Sequence, residues 1–562
     1  MQQRTVYDVC IVGSGAGGGM AAYALTQAGA NVIMLEAGGP WDNTSDDSAM
    51  LRPNYSSPRR GGSTPDRPFG EFDACIGGWN IEGEPYTRAD GTRFDWWRAR
   101  MVGGRTNHWG RISLRFGPDD FRRKSLDGLG DDWPIGYDDI GPYYDRLDRL
   151  IGIFGSREGL PNDPDGIFQP APKPRCYELL VKKACNDLAI TCIPGRLSIL
   201  TEPLNGRAAC HYCGHCNRGC QTNSNFSSTN VLIAPALETG RLTLRTHAMA
   251  REVTLDSAGR ASGVSFIDAN TGVDEHVQAR VVILAASALE STRILMNSKS
   301  SQFPDGLANT SGMLGKYLTD TTGSDVAGFI PAMENHIPHN ERGVQGGHVY
   351  MPWWLDNSKL DFPRGYHIEV WGGLGEPGAG FMGGIHRYPP GGGYGVDLKK
   401  QYRQYYGTTV GFSGRGEMIP NEQSYAELDP EVKDRFGIPV LRFHWQWSDH
   451  EINQVRHMQE TFRAIIEHMG GTVFSPMPTR ENGYGIATGG RIIHELGGAR
   501  MGDDPSTSVL NGWCQAHDVA NLFAVDGAPF VSQADKNPTW TIMALAWRAS
   551  DYIMEQRTQG RI

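Results

Sequence analysis

Residues Asp8 to Gly39, DVCIVGSGAGGGMAAYALTQAGANVIMLEAGG, leave this chain few folds to choose from. Val9 to Val12 is a short apolar run of the kind that makes a buried parallel strand. Gly13, Gly15 and Gly18 follow as GxGxxG, then a helical stretch from Met20 to Ala28 and a second apolar run ending at Glu36. In that order the elements form a βαβ unit for a dinucleotide. Gly13 permits the tight turn, Gly15 lets backbone N–H groups reach a pyrophosphate, and Gly18 lets helix and strand pack closely. The helix N-terminus faces the phosphates, and Glu36 accepts hydrogen bonds from the ribose. The spacing recurs at Gly373, Gly375 and Gly378, but Pro377 and the glycines beyond it allow no helix, so that repeat is set aside.

The rest of the 562 residues is long enough for two to four domains. The pattern divides it into a nucleotide-binding part over 1–160, with an extended lid from Pro40 to Arg93, and a linker with a cysteine segment over 161–225. A return to the nucleotide domain is expected over 226–323, through a strand at Ala279 to Ala286 and a helix at Leu289 to Asn297. From 324 to 484 aromatic, alternating segments such as HVYMPWWL, YHIEVWG and VLRFHWQW predict a separate, mainly antiparallel sheet with one amphipathic helix, His450 to Met469. The segment 485–562 ends in a strand at Leu522 to Val525 and a helix at Thr541 to Met554, which close back on the first domain. The fold class is therefore α/β with α+β: a Rossmann-like nucleotide domain carrying an antiparallel-sheet substrate domain.

Charge narrows the partners. With 53 basic and 63 acidic residues and no long basic run, neither nucleic acid nor an anionic membrane is expected, and the substrate is expected to be neutral. No apolar run approaches the roughly 18 residues of a membrane span. The start, MQQRTVYD, enters the first strand with no apolar signal region and no twin arginine, so no export signal is expected on this chain.

Several residues have the chemistry of a site. In RARMVGGRTNHWGRISLRF, Gly103 and Gly104 precede Thr106, Asn107 and His108, a turn able to set donors against a ring system. Asp526 stands just beyond a short strand. His494, in HELGGARMG, is the side-chain type best suited to take a hydroxyl proton near neutral pH, and Asn537, in KNPTWT, is fixed by the proline that follows. Four of the ten cysteines, Cys210, Cys213, Cys216 and Cys220, fall within CHYCGHCNRGC, which suggests a metal site rather than a disulfide framework. The spacing Cys-x2-Cys-x2-Cys-x3-Cys is that of bacterial ferredoxins, and four thiolates also suit zinc. His211 and His215 are alternative ligands. The remaining six, Cys10, Cys75, Cys176, Cys185, Cys192 and Cys514, read as small buried apolar residues.

Over nearly its whole length the chain resembles the glucose–methanol–choline (GMC) oxidoreductases. The resemblance is carried by GSGAGGGMAAYAL with Glu36, VGGRTNHWG, AASALESTRILMNS, the stretch from Gly416 to Pro439, HELGGARMG, and VDGAPF followed by NPTWTIMALAWR. It implies FAD, held by Gly13, Gly15, Gly18, Glu36, the Gly103 to His108 turn, the backbone of Ala250, Asp526, and the Pro538 to Thr539 backbone. It also implies His494 as catalytic base with Asn537 as its partner. In some sugar-oxidising members the histidine matching His108 is bonded to the flavin; here the turn reads N-H-W, and covalent attachment stays open. The cysteine run departs from ordinary members and is similar to the catalytic subunits of bacterial FAD-dependent sugar dehydrogenases. There Cys-x5-Cys-x3-Cys, matched by Cys210, Cys216 and Cys220, holds a three-iron cluster; a four-iron cluster is the alternative.

The resemblance therefore implies a dehydrogenase that oxidises a secondary alcohol or hemiacetal carbon of a sugar or glycoside, with glucoside 3-dehydrogenase as the first choice and glucose 1-dehydrogenase as the second. It implies a small signal-bearing subunit, a c-type cytochrome acceptor and a periplasmic location reached through that subunit, the cytoplasm being the location without it. The rival within the family is a pyranose-oxidase-like enzyme that uses oxygen. Trp353, Trp354 and Trp371 offer stacking surface for a sugar, though packing is the ordinary role of such residues.

Overall fold

The computed structural model describes residues 5–42, 77–214, 216, 219–335, 343–374, 388 and 393–562. Most of the lid expected over Pro40 to Arg93, together with Cys75, His215, Gly375, Pro377 and Gly378, lies outside the described residues.

The nucleotide unit forms as its sequence requires. β1 (Val6–Val12), α1 (Ala16–Gln27) and β2 (Val32–Leu35) make the βαβ hand. Gly13 turns the chain between β1 and α1 at φ +98°, and a Cβ on Gly18 would stand 2.0 Å from the Gly13 carbonyl oxygen, so only glycine lets α1 lie this close to the strand end. The chain rejoins this sheet as β3 (Leu242–Arg245), then β4 (Ala248–Leu255), β5 (Ala261–Asp268) and β6 (Asp274–Leu284). The order is β4-β5-β6-β1-β2-β3, with β6-β1-β2-β3 parallel and β4-β5-β6 antiparallel. The helix α2 (Ala288–Asn297) leaves the end of β6.

A second sheet follows, built from β7 (Asp325–Phe329), β8 (Val349–Met351), β9 (Tyr366–Gly372), β10 (Thr409–Gly416) and β11 (Thr472–Val473), with the short strand Ile193–Pro194 at its edge. Its order is β11-β7-β10-β9-β8 and then Ile193–Pro194, antiparallel throughout. One face is apolar. Tyr366, Ile368 and Val370 of β9 and Val410 and Phe412 of β10 pack against Val455, Met458 and Phe462 of α3 (Asp449–His468). Each such burial contributes roughly 1.5–3 kcal/mol. Ser448 and Glu451 cap α3 reciprocally, through Ser448 Oγ accepting the His450 N–H at 3.2 Å and Glu451 accepting the Ser448 N–H at 2.7 Å. Strand alternation then sends His367, Glu369 and Trp371 of β9, and Arg415 of β10, to the opposite face.

The chain returns through β12 (Leu522–Ala524), parallel to the end of β6, and α4 (Thr539–Thr558), which packs on α1. No helix of the described residues is long and apolar enough to cross a membrane. Trp353 and Trp354 pack against the core of the second sheet, whereas Trp371 is 45% exposed. Of the six cysteines expected to be buried, Cys10, Cys185, Cys192 and Cys514 are, but Cys176 is exposed at the first position of a helix, Cys176–Asp187, where its side chain faces away from the core.

Candidate active site

One continuous cavity runs between the two sheets, lined at one end by Gly13, Gly15 and Glu36 and at the other by His494, Asn537 and Glu369. The nucleotide end has the donor set that FAD requires. A Cβ built on Gly15 meets no atom within 4 Å, because that position opens onto the cavity, and Gly104 (φ +52°) brings its own backbone to the same place. Ser14 ties the walls together. Its N–H and Oγ donate to Glu36 Oε2 at 3.2 and 2.5 Å, its Oγ accepts the Gly103 N–H at 2.9 Å, and its carbonyl accepts Ser228 Oγ at 2.8 Å. Glu36 Oε1 accepts the Gly38 N–H at 2.8 Å. Burial pushes the Glu36 carboxyl above its usual range, against the pull of these donors and of Arg100. An open glycine turn at a helix N-terminus, beside a buried carboxyl, suits a pyrophosphate and a ribose.

Ala250, Thr106, His108, Asp526, Pro538 and Thr539 also line the cavity. Gly18, Gly103 and Asn107, expected to bind the cofactor, do not; they shape the turns that do. Asn107 Nδ2 donates to the Val102 carbonyl at 2.8 Å and its Oδ1 accepts Thr229 Oγ1 at 3.2 Å, so its side chain is spent beneath the turn. Asp526 accepts Ser291 Oγ at 2.5 Å and the Ala528 N–H at 2.8 Å, and burial raises its carboxyl to about 6. His108 Nε2 accepts the Trp97 indole N–H at 3.0 Å. Burial, with Arg111 and Arg105 nearby, holds this ring neutral, at about 3.

At the far end His494 and Asn537, 43 positions apart, meet: Asn537 Nδ2 lies 3.3 Å from His494 Nε2. With the Asn537 amide as donor, the tautomer follows. The amide N–H meets a lone pair on Nε2, so the ring proton is on Nδ1, which donates to Thr321 Oγ1 at 2.9 Å. Burial, then Arg415, keeps the imidazole at about 3 despite the opposing charge of Glu369. His494 is thus neutral across the physiological range, and it lines the cavity.

Backbone strain and buried charge hold this pair. Ile493 sits at φ +65°, a conformation that costs a β-branched residue on the order of 1–3 kcal/mol. Asp320 offsets it by accepting the N–H groups of Gly490 (2.7 Å) and His494 (3.1 Å). Burial and the neighbouring Glu495 lift Asp320 to about 7. On the other side Lys536, next to Asn537, is buried between Asp535 (2.6 Å) and Asp120 (3.0 Å); Asp120 pairs in turn with Arg123 (2.8 Å), and Arg123 with Glu417 (2.7 Å). Removing one member would leave an uncompensated buried charge, which is why such a string fixes the chain before Asn537.

The sequence reading missed Ser14, Asp320, Thr321, Glu369 and Arg415. Ser14 stands inside the glycine motif; the others had no local signal.

Of the four clustered cysteines, Cys216 and Cys220 are buried and Cys210 and Cys213 half-buried. They sit near one another: burial first, and then Cys216, Cys220 and Cys213, push the Cys210 thiol up to about 12. The Tyr212 N–H donates to Cys210 Sγ at 3.3 Å, and Asn225 Nδ2 to the Cys216 carbonyl at 3.1 Å. Yet among the described residues no group of three or more Cys, His, Asp or Glu is gathered closely enough to hold a metal ion.

Family models for GMC oxidoreductase match residues 172–320 and 420–546, and one for FAD dependent oxidoreductase matches residues 8–126. The chain is 30% identical over 554 residues to 2-methyl-1,2-propanediol dehydrogenase of Mycolicibacterium austroafricanum, covering 97% of this chain and 95% of that protein. It belongs to the GMC oxidoreductases. Other GMC relatives include paromamine 6'-oxidase of Streptomyces fradiae, 27% identical over 98% of this chain and 91% of the relative. The fructose dehydrogenase large subunit of Gluconobacter japonicus is 25% identical over 98% of both. Pyridoxine 4-oxidase from Mesorbium loti shares the fold, with a TM-score of 0.65 at 16% identity over 97% of this chain and 99% of that one. As a GMC enzyme the chain is an FAD-dependent oxidoreductase of CH–OH groups, and the cavity fits that cofactor.

Proposed function

We propose that this GMC enzyme is a dehydrogenase that oxidises a secondary alcohol or hemiacetal carbon of a sugar or glycoside, with carbon 3 of a glycoside as the first choice of position. The observation that carries this reading is the meeting of His494 and Asn537, with Nε2 set 3.3 Å from the amide nitrogen, at the end of the FAD cavity. Bound FAD supplies the hydride acceptor. His494 takes the hydroxyl proton on Nε2, while Nδ1 stays bonded to Thr321 and fixes the ring. Asn537 Nδ2 donates to the same substrate oxygen and stabilises the charge that develops on it. Fructose dehydrogenase among the relatives supports a sugar; the diol dehydrogenase supports a second reading, a small polyol.

Two finer features belong to the same proposal. His108 holds FAD without a covalent bond, a reading supported by the Trp97 N–H that its Nε2 accepts. Acid precipitation is expected to leave the yellow colour in the supernatant; a yellow pellet would mean a histidyl flavin.

The cysteine segment takes up iron and sulfide and passes electrons singly to an external acceptor such as a c-type cytochrome. A small signal-bearing subunit then accounts for a periplasmic location. The support is the ferredoxin-like spacing and the mutual nearness of the four thiols; the described geometry is not a closed metal cage, so the segment must close as the cluster forms. Three iron atoms per chain are expected, four being the alternative, with an EPR signal in one redox state that Cys216→Ser abolishes. Iron-free protein that still reduces a dye would remove the cluster from the proposal, and peroxide formed in step with substrate would favour an oxidase.

A further inference from the structure

The polar face of the second sheet gives the substrate end of the cavity a charge pair that proton removal does not need. Glu369 and Arg415, on adjacent strands, both line the cavity, and Glu369 Oε2 lies 3.1 Å from Arg415 Nη2. Arg415 is anchored from behind, its Nη1 donating to the Gly414 carbonyl at 2.8 Å. Glu369 Oε1 has only long contacts, 3.4 Å to His367 Nε2 and 3.5 Å to Asn537 Nδ2, each near or beyond the limit of a good hydrogen bond. Burial opposes ionisation of Glu369, but Arg415 and His367 overcome it and hold the carboxyl at about 2, so a full negative charge faces the cavity.

We propose that Glu369 and Arg415 hold the hydroxyl next to the carbinol being oxidised, so that the enzyme selects vicinal diols, sugars and other polyols among them, over simple alcohols of similar bulk. The geometry is that of a two-point grip. Asn537 Nδ2 touches both His494 Nε2 and Glu369 Oε1, so base and carboxylate are no farther apart than its contacts of 3.3 and 3.5 Å laid end to end. One hydroxyl on Nε2 and its neighbour on Oε1, each through a hydrogen bond of about 2.7 Å, bridge that gap. The second oxygen donates to the carboxylate and accepts from the Arg415 guanidinium, which satisfies both its proton and a lone pair. A mono-alcohol would leave Glu369 Oε1 desolvated with only its two long contacts, which is how a site built for a hydroxyl rejects its absence.

This inference rests on the assignment of His494 and Asn537 to the reacting hydroxyl. The test uses FAD-loaded full-length enzyme with a dye acceptor and two matched pairs: 2,3-butanediol against 2-butanol, and 1,2-propanediol against 2-propanol. Wild-type enzyme is expected to favour the better diol by about 10–100-fold or more in kcat/KM, the scale of a hydrogen bond to a charged group. Glu369→Gln is expected to reduce that preference at least tenfold, mainly through KM for the diol, and Arg415→Lys to reduce it in the same direction. A second readout avoids turnover. In a His494→Ala background, diol binding followed by the shift of the flavin absorption band should weaken about tenfold or more when Glu369→Gln is added. Flavin content and melting temperature report whether each variant is folded. Equal use of diol and mono-alcohol by wild-type enzyme, or an undiminished preference in folded Glu369→Gln, overturns the inference. Failure of every diol, alcohol, sugar and glycoside to reduce wild-type flavin, or an undiminished rate in His494→Ala, overturns the underlying assignment instead.

Discussion

Replacing His494 by alanine is expected to slow reduction of the flavin by about 10²–10⁴-fold, the range of general-base contributions, while FAD content stays that of the wild type. The size follows from the geometry. His494 lines the cavity with Nε2 as its proton-free nitrogen, Thr321 fixes its tautomer, and Asn537 holds an N–H beside it. The pH dependence has a definite sign. A histidine whose pKa is lowered stays neutral at every pH above it, so with the imidazole held at about 3 the wild-type reductive rate should not fall between pH 8 and pH 5 through protonation of His494. Single-turnover stopped flow across that range measures both quantities. A rate that falls through an acid limb near 6.5 would show an ordinary, solvated histidine, and a wild-type-like rate in His494→Ala would remove it from the chemistry.

Gly15→Ala and Gly18→Ala should fail in different ways. At Gly15 a methyl group meets no atom of the protein and the chain is expected to fold, but the methyl stands where the pyrophosphate must approach the backbone. Loss of one or two charge-assisted backbone hydrogen bonds would weaken FAD binding by about 10–100-fold or more. At Gly18 the same methyl comes within 2.0 Å of the Gly13 carbonyl oxygen, a backbone atom that cannot step aside. That variant is expected to lose the packing of α1 on β1, with a marked drop in melting temperature before any question of cofactor arises. Flavin content after gel filtration and thermal melting of the apoprotein separate the two outcomes.

What the sequence discloses here is whatever has a short-range signature. The strand, glycine turn and acid of residues 8–39 carry their own spacing. His494 and Asn537 stand beside a glycine pair and a proline that mark turns, and HVYMPWWL and YHIEVWG give two strands of the antiparallel sheet away. VLRFHWQW instead supplies a strand, Pro439–His444, that pairs with Tyr425–Lys433 in a separate small sheet because its partner lies just before it in the chain. What stays hidden depends on register between distant strands. Glu369 and Arg415 lie 46 positions apart and meet because β9 and β10 pair Glu369 with Ser413 and His367 with Arg415. Asp320 shapes the His494 turn across 174 positions through its carboxylate oxygens. Asn107 shows the converse. Its place in a motif predicts a cofactor contact, but the turn buries the side chain, which bonds to Val102 and Thr229 beneath the cavity wall. The cysteine run is legible as spacing alone; spacing puts four thiols near one another without bringing them to metal-binding distance.

Alcohol oxidation by a tightly held flavin is tested most directly by anaerobic titration of the purified, FAD-loaded protein with a panel of pyranoses, methyl glycosides and small vicinal diols. The flavin absorbance near the visible maximum should bleach with at least one of them, and His494→Ala should retain the oxidised spectrum over the same interval. A wild-type flavin that stays oxidised with every sugar, glycoside and diol would contradict it.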